Sequence, residues 1–113
     1  MTARAEVEAA LFTLEVRPER ERVRVALAGE LDMADADRVV EDVRDLLDRG
    51  FRDIALDVRD LTFVDSSGIR ALVRSTRTAH ERGARLEVVL APGAVARAVA
   101  LCCVQDQLTV ARS

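Results

Sequence analysis

A pair of serines beside a carboxylate stands at the start of a predicted helix, in the segment Val64-Asp65-Ser66-Ser67-Gly68. Asp65 or Ser66 can cap this helix by accepting hydrogen bonds from its first free N–H groups. A hydroxyl here also lies at the positive end of the helix dipole, where an added phosphate would find backbone donors. The segment therefore indicates either an ordinary helix cap or a serine that accepts a phosphate group.

The same sequence argues against a hydrolytic site and against a nucleotide-cleaving site. The segment lacks the Gly-x-Ser-x-Gly turn of serine esterases, and the single histidine, His80, lies fourteen residues after Ser66, several helical turns away. We interpret His80 as a solvated surface residue. A Gly-x-x-x-x-Gly-Lys phosphate loop is excluded because the chain contains no lysine. We therefore expect no catalytic residues and no enzymatic activity.

The two cysteines, Cys102 and Cys103, are adjacent in sequence, so they close no long loop and form no disulfide framework. One histidine is too few to complete a Cys/His zinc cluster. The sequence favours two small, buried apolar residues on a helix. The alternative, a redox-sensitive pair or an intermolecular disulfide, requires an exposed and activated thiolate. We expect neither a metal nor a cofactor.

The composition limits the class of protein and its partners. With 113 residues, 50% of them hydrophobic, and a net charge of −3, the chain can form one domain with a sizeable core. No apolar run is long enough to span a membrane, and residues 1–10 do not resemble a signal peptide, so we expect a cytoplasmic protein with no membrane partner. All 17 cationic residues are scattered arginines and only three residues are aromatic, which argues against a nucleic-acid partner.

Hydrophobic periodicity predicts the element order β-β-α-β-α-β-α-β. We expect a loose segment at residues 1–10 and a single domain at residues 11–113. Because right-handed crossovers would link the later strands in parallel, the predicted fold class is α/β, with the helices packed on one face of a mixed sheet of four to five strands. Asp32 is predicted to cap the first helix. The apolar stripe of that helix is Ala36, Val39, Val40, Val43, Leu46 and Leu47.

Three boundaries in this scheme rest on turn-like residues and short apolar runs. The hairpin turn is predicted at residues 18–21, and Gly29 is predicted to end the hairpin. Residues 60–65 are predicted to form a connector that buries Leu61 and Phe63. The third helix is predicted to carry Val95, Ala98, Val99 and Cys102, and a final short strand to contain Leu108 and Val110.

Two segments together carry a resemblance to a known family. Ala28-Gly29-Glu30-Leu31-Asp32 follows the second predicted strand, and Asp60-Leu61-Thr62-Phe63-Val64-Asp65-Ser66-Ser67-Gly68 follows the third. At this spacing they resemble the STAS domain and, more narrowly, the bacterial anti-sigma factor antagonists. The similarity extends from about Leu11 to Val110 in the same element order, so the resemblance implies the same fold for nearly the whole chain.

The resemblance implies a switch that is controlled by phosphorylation. In that family the serine directly after the aspartate is phosphorylated, which corresponds to Ser66. The kinase is an anti-sigma factor with a histidine-kinase-like ATPase fold, and a metal-dependent serine phosphatase reverses the modification. The unphosphorylated antagonist binds the anti-sigma factor and so releases a sigma factor. The implied partner-binding residues are Gly29, Glu30, Leu31, Asp32, Met33, Asp65, Ser67, Gly68, Ile69 and Arg70.

The chain departs from the family pattern at two places. Arg70 stands where members often carry a small residue, and it could steer an acidic partner, partly neutralise a phosphate, or be merely solvated. Members usually end in a further amphipathic helix, whereas this sequence stops three residues after Val110. Either that helix is absent or the last strand is misplaced, and an absent helix would leave a surface for a homodimer.

Two other functions within the same family stay open. One is a non-switching scaffold STAS domain, as in stress-signalling complexes or lipid-transport assemblies, although such domains often depart from the Asp-Ser-Ser-Gly pattern kept here. The other is a nucleotide-binding STAS module, against which stand the missing phosphate loop and the lack of a convergent basic pocket.

Overall fold

The computed structural model describes residues 11–112, which form five strands and three α-helices. The predicted element order is confirmed, and the loose segment predicted at residues 1–10 lies outside the described residues. In chain order the elements are β1 (Thr13–Glu19), β2 (Arg22–Leu31), α1 (Met33–Asp48), β3 (Asp53–Val64), α2 (Ser66–Glu81), β4 (Arg85–Leu90), α3 (Ala94–Leu101), a 3₁₀ turn (Gln105–Gln107) and β5 (Val110–Arg112).

The strands lie in the sheet in chain order, β1-β2-β3-β4-β5. β1 is antiparallel to β2, and every later pair is parallel. Because each parallel step runs in the same direction across the sheet, right-handed crossovers place α1, α2 and α3 on one face. This arrangement confirms the predicted fold class. Within residues 11–112 no helix combines the length and the apolar composition that crossing a membrane requires.

The hydrophobic core lies between this face of the sheet and the helices. Val25, Leu56 and Val88 are neighbours in register on three adjacent strands, and all three are fully buried. Helix α1 buries the six apolar residues that its spacing predicted. Since burial of one such side chain contributes about 1.5–3 kcal/mol, this layer gives the ends of β2 and β3 a rigid base.

The opposite face of the sheet is polar, and its charges pair with one another. Asp57, at the centre of β3, is buried and accepts hydrogen bonds from Arg59 at 2.7 and 2.9 Å and from Arg24 at 3.0 Å. The Arg59 hydrogen bond is the main cause that holds the pKa of Asp57 below its ordinary value, against the opposing effect of burial. Arg24 also donates to Glu19 on β1, so the network ties three strands together.

The hairpin differs from the prediction at both ends. Pro18 belongs to β1, and only two residues separate β1 from β2, with Arg20 in the left-handed region at φ 52°. A proline fits there because β1 is an edge strand, where a missing N–H breaks few sheet hydrogen bonds. Gly29 does not end β2, which continues to Leu31; with φ +89° it packs against the backbone of Leu11, where a Cβ would clash.

The segment predicted as a connector is the second half of β3. Gly29 pairs with Leu61 and the next residue of β2, Glu30, pairs with Phe63, so Thr62 is an extra residue in β3. Such a bulge turns the following side chains to the other face of the sheet. Leu61 is therefore buried, whereas Phe63 is 47% exposed, and the prediction that Phe63 is buried is wrong.

The end of α3 also differs from the prediction. The helix buries Val99 and ends before Cys102, which is its C-cap, and Cys103 follows with φ 55°. Both cysteines are exposed and free, so the prediction that they are buried is wrong. Cys102 would have been buried if the helix had continued, but the helix ends at Leu101, one residue earlier. The final strand is confirmed at Val110, which begins β5 beside β4, whereas Leu108 is buried but lies before the strand.

Candidate functional site

Two helices begin side by side at one edge of the sheet. The carboxyl ends of β2 and β3 pair through Leu31 and Val64, and the Asp65 N–H donates to the Leu31 carbonyl at 3.2 Å. Asp32 and Asp65, the residues that follow the two strands, are therefore neighbours. The side chain of Asp32 caps α1 by accepting from the Ala34 N–H at 3.0 Å, as the sequence predicted.

Helix α2 begins on the motif that the sequence singled out. Asp65 is the N-cap and its Oδ1 accepts from the Gly68 N–H at 2.9 Å, which settles the choice between Asp65 and Ser66 as the cap. Ser66 is the first helical residue and is exposed, whereas Ser67 is half-buried. The first four N–H groups of an α-helix have no hydrogen-bond partner within the helix. The Ser66 hydroxyl thus lies beside backbone donors at an electropositive helix end, within reach of another protein.

Gly68 acts through its missing side chain. A Cβ at this position would lie 2.5 Å from Val64 Cγ2 and 2.8 Å from the Leu31 carbonyl oxygen. The glycine therefore lets the first turn of α2 pack directly against the ends of β2 and β3. The structure therefore requires glycine here for close approach rather than for conformational freedom.

The residues predicted to contact a partner fall into three groups by exposure. Those with side chains buried or absent support the surface from below: Gly29, Leu31, Gly68 and Ile69. Those that are half-buried lie at the two helix starts: Asp32, Asp65 and Ser67. The exposed ones are Glu30, Met33 and Arg70, and Met33 reaches 78% exposure. A partner that approaches this edge therefore contacts the Met33 side chain, one negative and one positive charge, and the Ser66 hydroxyl.

Phe63 adds an apolar residue that the sequence did not assign to the site. It pairs in register with Glu30, two residues before Asp65, and is 47% exposed. Large exposed apolar side chains near a polar motif are typical of protein-binding surfaces. The sequence predicts that Leu61 and Phe63 are both buried residues of a connector. Only the bulge at Thr62 separates them.

A second feature is an open groove along α2, which we call the α2 groove. Its volume is about 510 Å³. It is lined on α2 by Ser66, Ile69, Arg70, Val73, Arg74 and Arg77, and by Cys102, Val104 and Gln107 from the segment between α3 and β5. Sequence reasoning missed this groove because its two sides are more than twenty residues apart in the chain and no local pattern links them.

The geometry supports no hydrolytic site at Ser66. His80 is exposed on the same helix, and fourteen residues of helix separate it from Ser66 by about 21 Å. Among the residues that the structure describes, no group of three or more His, Cys, Asp or Glu side chains is arranged to hold a metal ion. What the site offers chemically is an accessible hydroxyl, two capping carboxylates and exposed apolar and cationic side chains around it.

The comparisons with known proteins agree with this architecture. The family model described as "Mlab, STAS domain" matches residues 14–109, and the chain belongs to the STAS-domain family. An anti-sigma factor antagonist from Mycobacterium paratuberculosis has a similar fold, with a TM-score of 0.75 at 18% identity over 89% of this chain and 86% of that one. No curated protein matches this sequence.

The anti-sigma factor antagonist SpoIIAA is similar in two states. Its unphosphorylated form matches with a TM-score of 0.65 at 24% identity, over 91% of this chain and 89% of that chain. The phosphorylated form of SpoIIAA, a Bacillus cell fate determinant, matches with a TM-score of 0.62 at 22% identity, over 89% and 91% of the two chains. At these identities the likeness concerns the fold.

Proposed function

We propose that this protein is an anti-sigma factor antagonist that binds an anti-sigma factor while Ser66 is unmodified and loses that binding when Ser66 is phosphorylated. The observation that carries the proposal is the exposure of the Ser66 side chain. Ser66 is the first residue of α2 and directly follows the Asp65 cap. Anti-sigma factor antagonists of similar fold support the proposal over nearly the full length of the chain, and one of them, SpoIIAA, also has a phosphorylated form.

The proposal assigns the kinase activity to the partner. The anti-sigma factor would have a histidine-kinase-like ATPase fold and transfer phosphate to Ser66, and a metal-dependent serine phosphatase would remove it. This protein would then be a regulated binding protein rather than an enzyme, and it would act in the cytoplasm with a partner that uses ATP. No cofactor or metal is required for that role.

The proposed docking surface joins the exposed residues around Ser66. Met33 and Phe63 supply apolar area, and Glu30 and Arg70 supply charges of both signs. Apolar anchors near the centre of an interface generally provide most of the binding energy, and charges around them set orientation. We expect Met33 and Phe63 to be the main apolar anchors.

The physics of the switch follows from where the phosphate would lie. Phosphorylation adds about −1.5 to −2 charges, and at a helix N-terminus this charge stabilises the helix. We therefore expect little refolding of α2. The cost appears at the interface, where a dianion beside Asp65 and Asp32 must be desolvated. A tenfold loss of affinity requires only about 1.4 kcal/mol.

The test is a pull-down that compares the wild type with Ser66→Ala and Ser66→Glu, followed by identification of the captured protein. We expect the wild type and Ser66→Ala to retain a protein with a kinase-like ATPase fold, and Ser66→Glu to lose it. Arg85→Gln is the matched control, because it also changes the charge by −1 and Arg85 is exposed at the start of β4, at the opposite edge of the sheet from Ser66. ATP should label the wild type in the presence of that partner and leave Ser66→Ala unlabelled.

Two results would favour the other functions. A partner of any fold that binds Ser66→Ala and Ser66→Glu equally tightly would indicate a non-switching scaffold domain. Calorimetric binding of GTP or ATP to the purified protein would indicate a nucleotide-binding module. Either result contradicts the proposal.

A further inference from the structure

The α2 groove is long enough for about three turns of a bound helix. Its α2 side runs from Ser66 to Arg77, and eleven residues of helix extend about 16 Å, or three turns. A smaller hollow of about 240 Å³ continues it past Arg77 to His80 and Glu81. The groove is open along its length, which suits an elongated segment better than a compact small molecule.

The charge of the groove is positive in a chain whose net charge is −3. Arg70, Arg74 and Arg77 line it at intervals of four and three residues, so their side chains share one face of α2. Arg74 lies 3.3 Å from the exposed Asp37, and within residues 11–112 neither Arg70 nor Arg77 forms an ion pair. Elsewhere exposed arginines such as Arg82 pair closely with a carboxylate, here Asp48 at 2.7 Å.

Beside the arginines and the polar Ser66 and Gln107, the groove has an apolar lining. Ile69 and Val73 lie beneath the arginines with only 3% and 7% of their surface exposed, and Val104 lines the groove from the segment after α3. Leu101, directly before the groove residue Cys102, is 84% exposed. An apolar strip bordered by arginines at helical spacing is complementary to a helix with apolar residues on one side and carboxylates along its border.

We propose that the α2 groove binds an acidic amphipathic helix of the partner protein. The proposal rests on the proposed function, since it names the segment by which the anti-sigma factor engages this chain. Carboxylates spaced at i, i+4 and i+7 on that helix would pair with Arg70, Arg74 and Arg77, and its apolar residues would cover Val73 and Val104.

This position couples docking to the modification of Ser66. Ser66 lines the same groove, and Arg70 lies four residues further along α2, one turn away. A phosphate on Ser66 would attract the Arg70 guanidinium and repel the carboxylates of the docked helix. The switch therefore acts at the mouth of the groove as well as at the helix starts.

The experiment uses a fluorescein-labelled synthetic peptide of 16 residues that places Glu at i, i+4 and i+7 beside a Leu stripe. Its binding to the full chain is measured by fluorescence anisotropy. We expect saturable binding that weakens at least tenfold in the double variant Arg70→Glu/Arg77→Glu and weakens with added salt. The matched control is Arg44→Glu/Arg97→Glu, which makes the same charge change at exposed arginines on α1 and α3 outside the groove and should keep affinity within twofold.

Circular dichroism verifies that each variant is folded, and a Lys-for-Glu version of the peptide controls for nonspecific apolar binding. Equal binding to both double variants, or tighter binding of the Lys peptide, would overturn the proposal. Sedimentation that shows a dimer dissociated only by Arg70→Glu/Arg77→Glu would identify a second copy as the occupant and overturn it too. Failure of the Ser66→Glu pull-down together with specific peptide binding would overturn the phosphorylation switch while leaving the groove assignment standing.

Discussion

Two charged regions of this chain differ in whether their charges are already paired. On the outer face of the sheet, Asp57 is buried between the guanidinium groups of Arg59 and Arg24. At the start of α2, the Ser66 hydroxyl is exposed, and Arg70 forms no ion pair among the residues that the structure describes. A charge paired inside the fold acts on stability, whereas an unpaired one is available to a partner. Substitutions in the first region should therefore change the free energy of unfolding, and those in the second should change binding.

Gly68 is an exception to this rule, because it lies in the second region but its substitution should change the free energy of unfolding. Gly68→Val is expected to cost about 3 kcal/mol, since even its Cβ meets the Leu31 carbonyl oxygen at 2.8 Å. Urea unfolding followed by circular dichroism measures this. Ser67→Ala, at the adjacent half-buried position, should cost less than about 1 kcal/mol. An unchanged midpoint for Gly68→Val would contradict the close packing of α2 on the strand ends.

Asp57→Asn breaks the first region directly. We expect a loss of about 2 kcal/mol at pH 7, because Arg24 and Arg59 lose a charged partner in a buried position. The pKa of Asp57 is lowered in the folded state, so its contribution is present above the unfolded value of about 3.9 and is lost as the pH falls through the folded pKa.

Unfolding measured from pH 7 down to pH 2 checks both parts of that prediction. The wild type should lose more stability than Asp57→Asn across the acid range. Asp53→Asn is the control, since Asp53 lies 3.5 Å from Arg22 and is more exposed, and it should cost less than about 1 kcal/mol. Partner affinity should stay within twofold in both variants. A parallel acid profile for the wild type and Asp57→Asn would argue against the network.

Asp65→Ala tests the boundary between the regions. Loss of the hydrogen bond from the Gly68 N–H should cost about 1 kcal/mol, and Asp65→Asn should keep most of that stability because Asn also caps helices. Thermal unfolding of the three proteins gives the ranking. Asp32→Ala, at the corresponding cap of α1, should show a loss of similar size. If Asp65→Ala is as stable as the wild type, the cap contributes little and the carboxylate is free for another role.

The smallest expected effect is the difference between Ser66→Glu and Ser66→Gln, two side chains of similar size that differ in charge. Ser66→Glu should be more stable than Ser66→Gln by about 0.5 kcal/mol, because a negative charge at the first residue of α2 interacts favourably with the helix dipole. The difference should shrink in 1 M salt. Greater stability of Ser66→Gln would mean that phosphorylation disturbs α2 itself, and the switch would then include refolding.

Local patterns predicted the helices and their caps well. Spacing of apolar residues identified the buried stripe of α1 residue by residue, and Asp32 was recognised as its cap. The start of α2 on the Asp65-Ser66 segment followed from the same kind of reasoning. These features depend on neighbours within about four residues, where helical geometry is the same in every protein.

Features that depend on pairing between distant segments were predicted poorly. The bulge at Thr62 arises from the register of β3 against β2, and it separates the exposed Phe63 from the buried Leu61. Cys102 was placed on a helix that ends one residue too early to bury it. The close packing at Gly68 was not predicted, because the Leu31 carbonyl that excludes a side chain there lies on another element, β2.

The sequence by itself determined the element order, the core of α1 and the capped helix start that carries Ser66, because all of these follow from the periodicity and hydrogen bonding of short segments. Only the tertiary structure decided which strands ended side by side, which apolar residues stayed exposed beside Ser66, and that residues 102–107 form a groove with α2. Contacts of that kind depend on the register between strands and on the packing of distant segments, which no local pattern encodes.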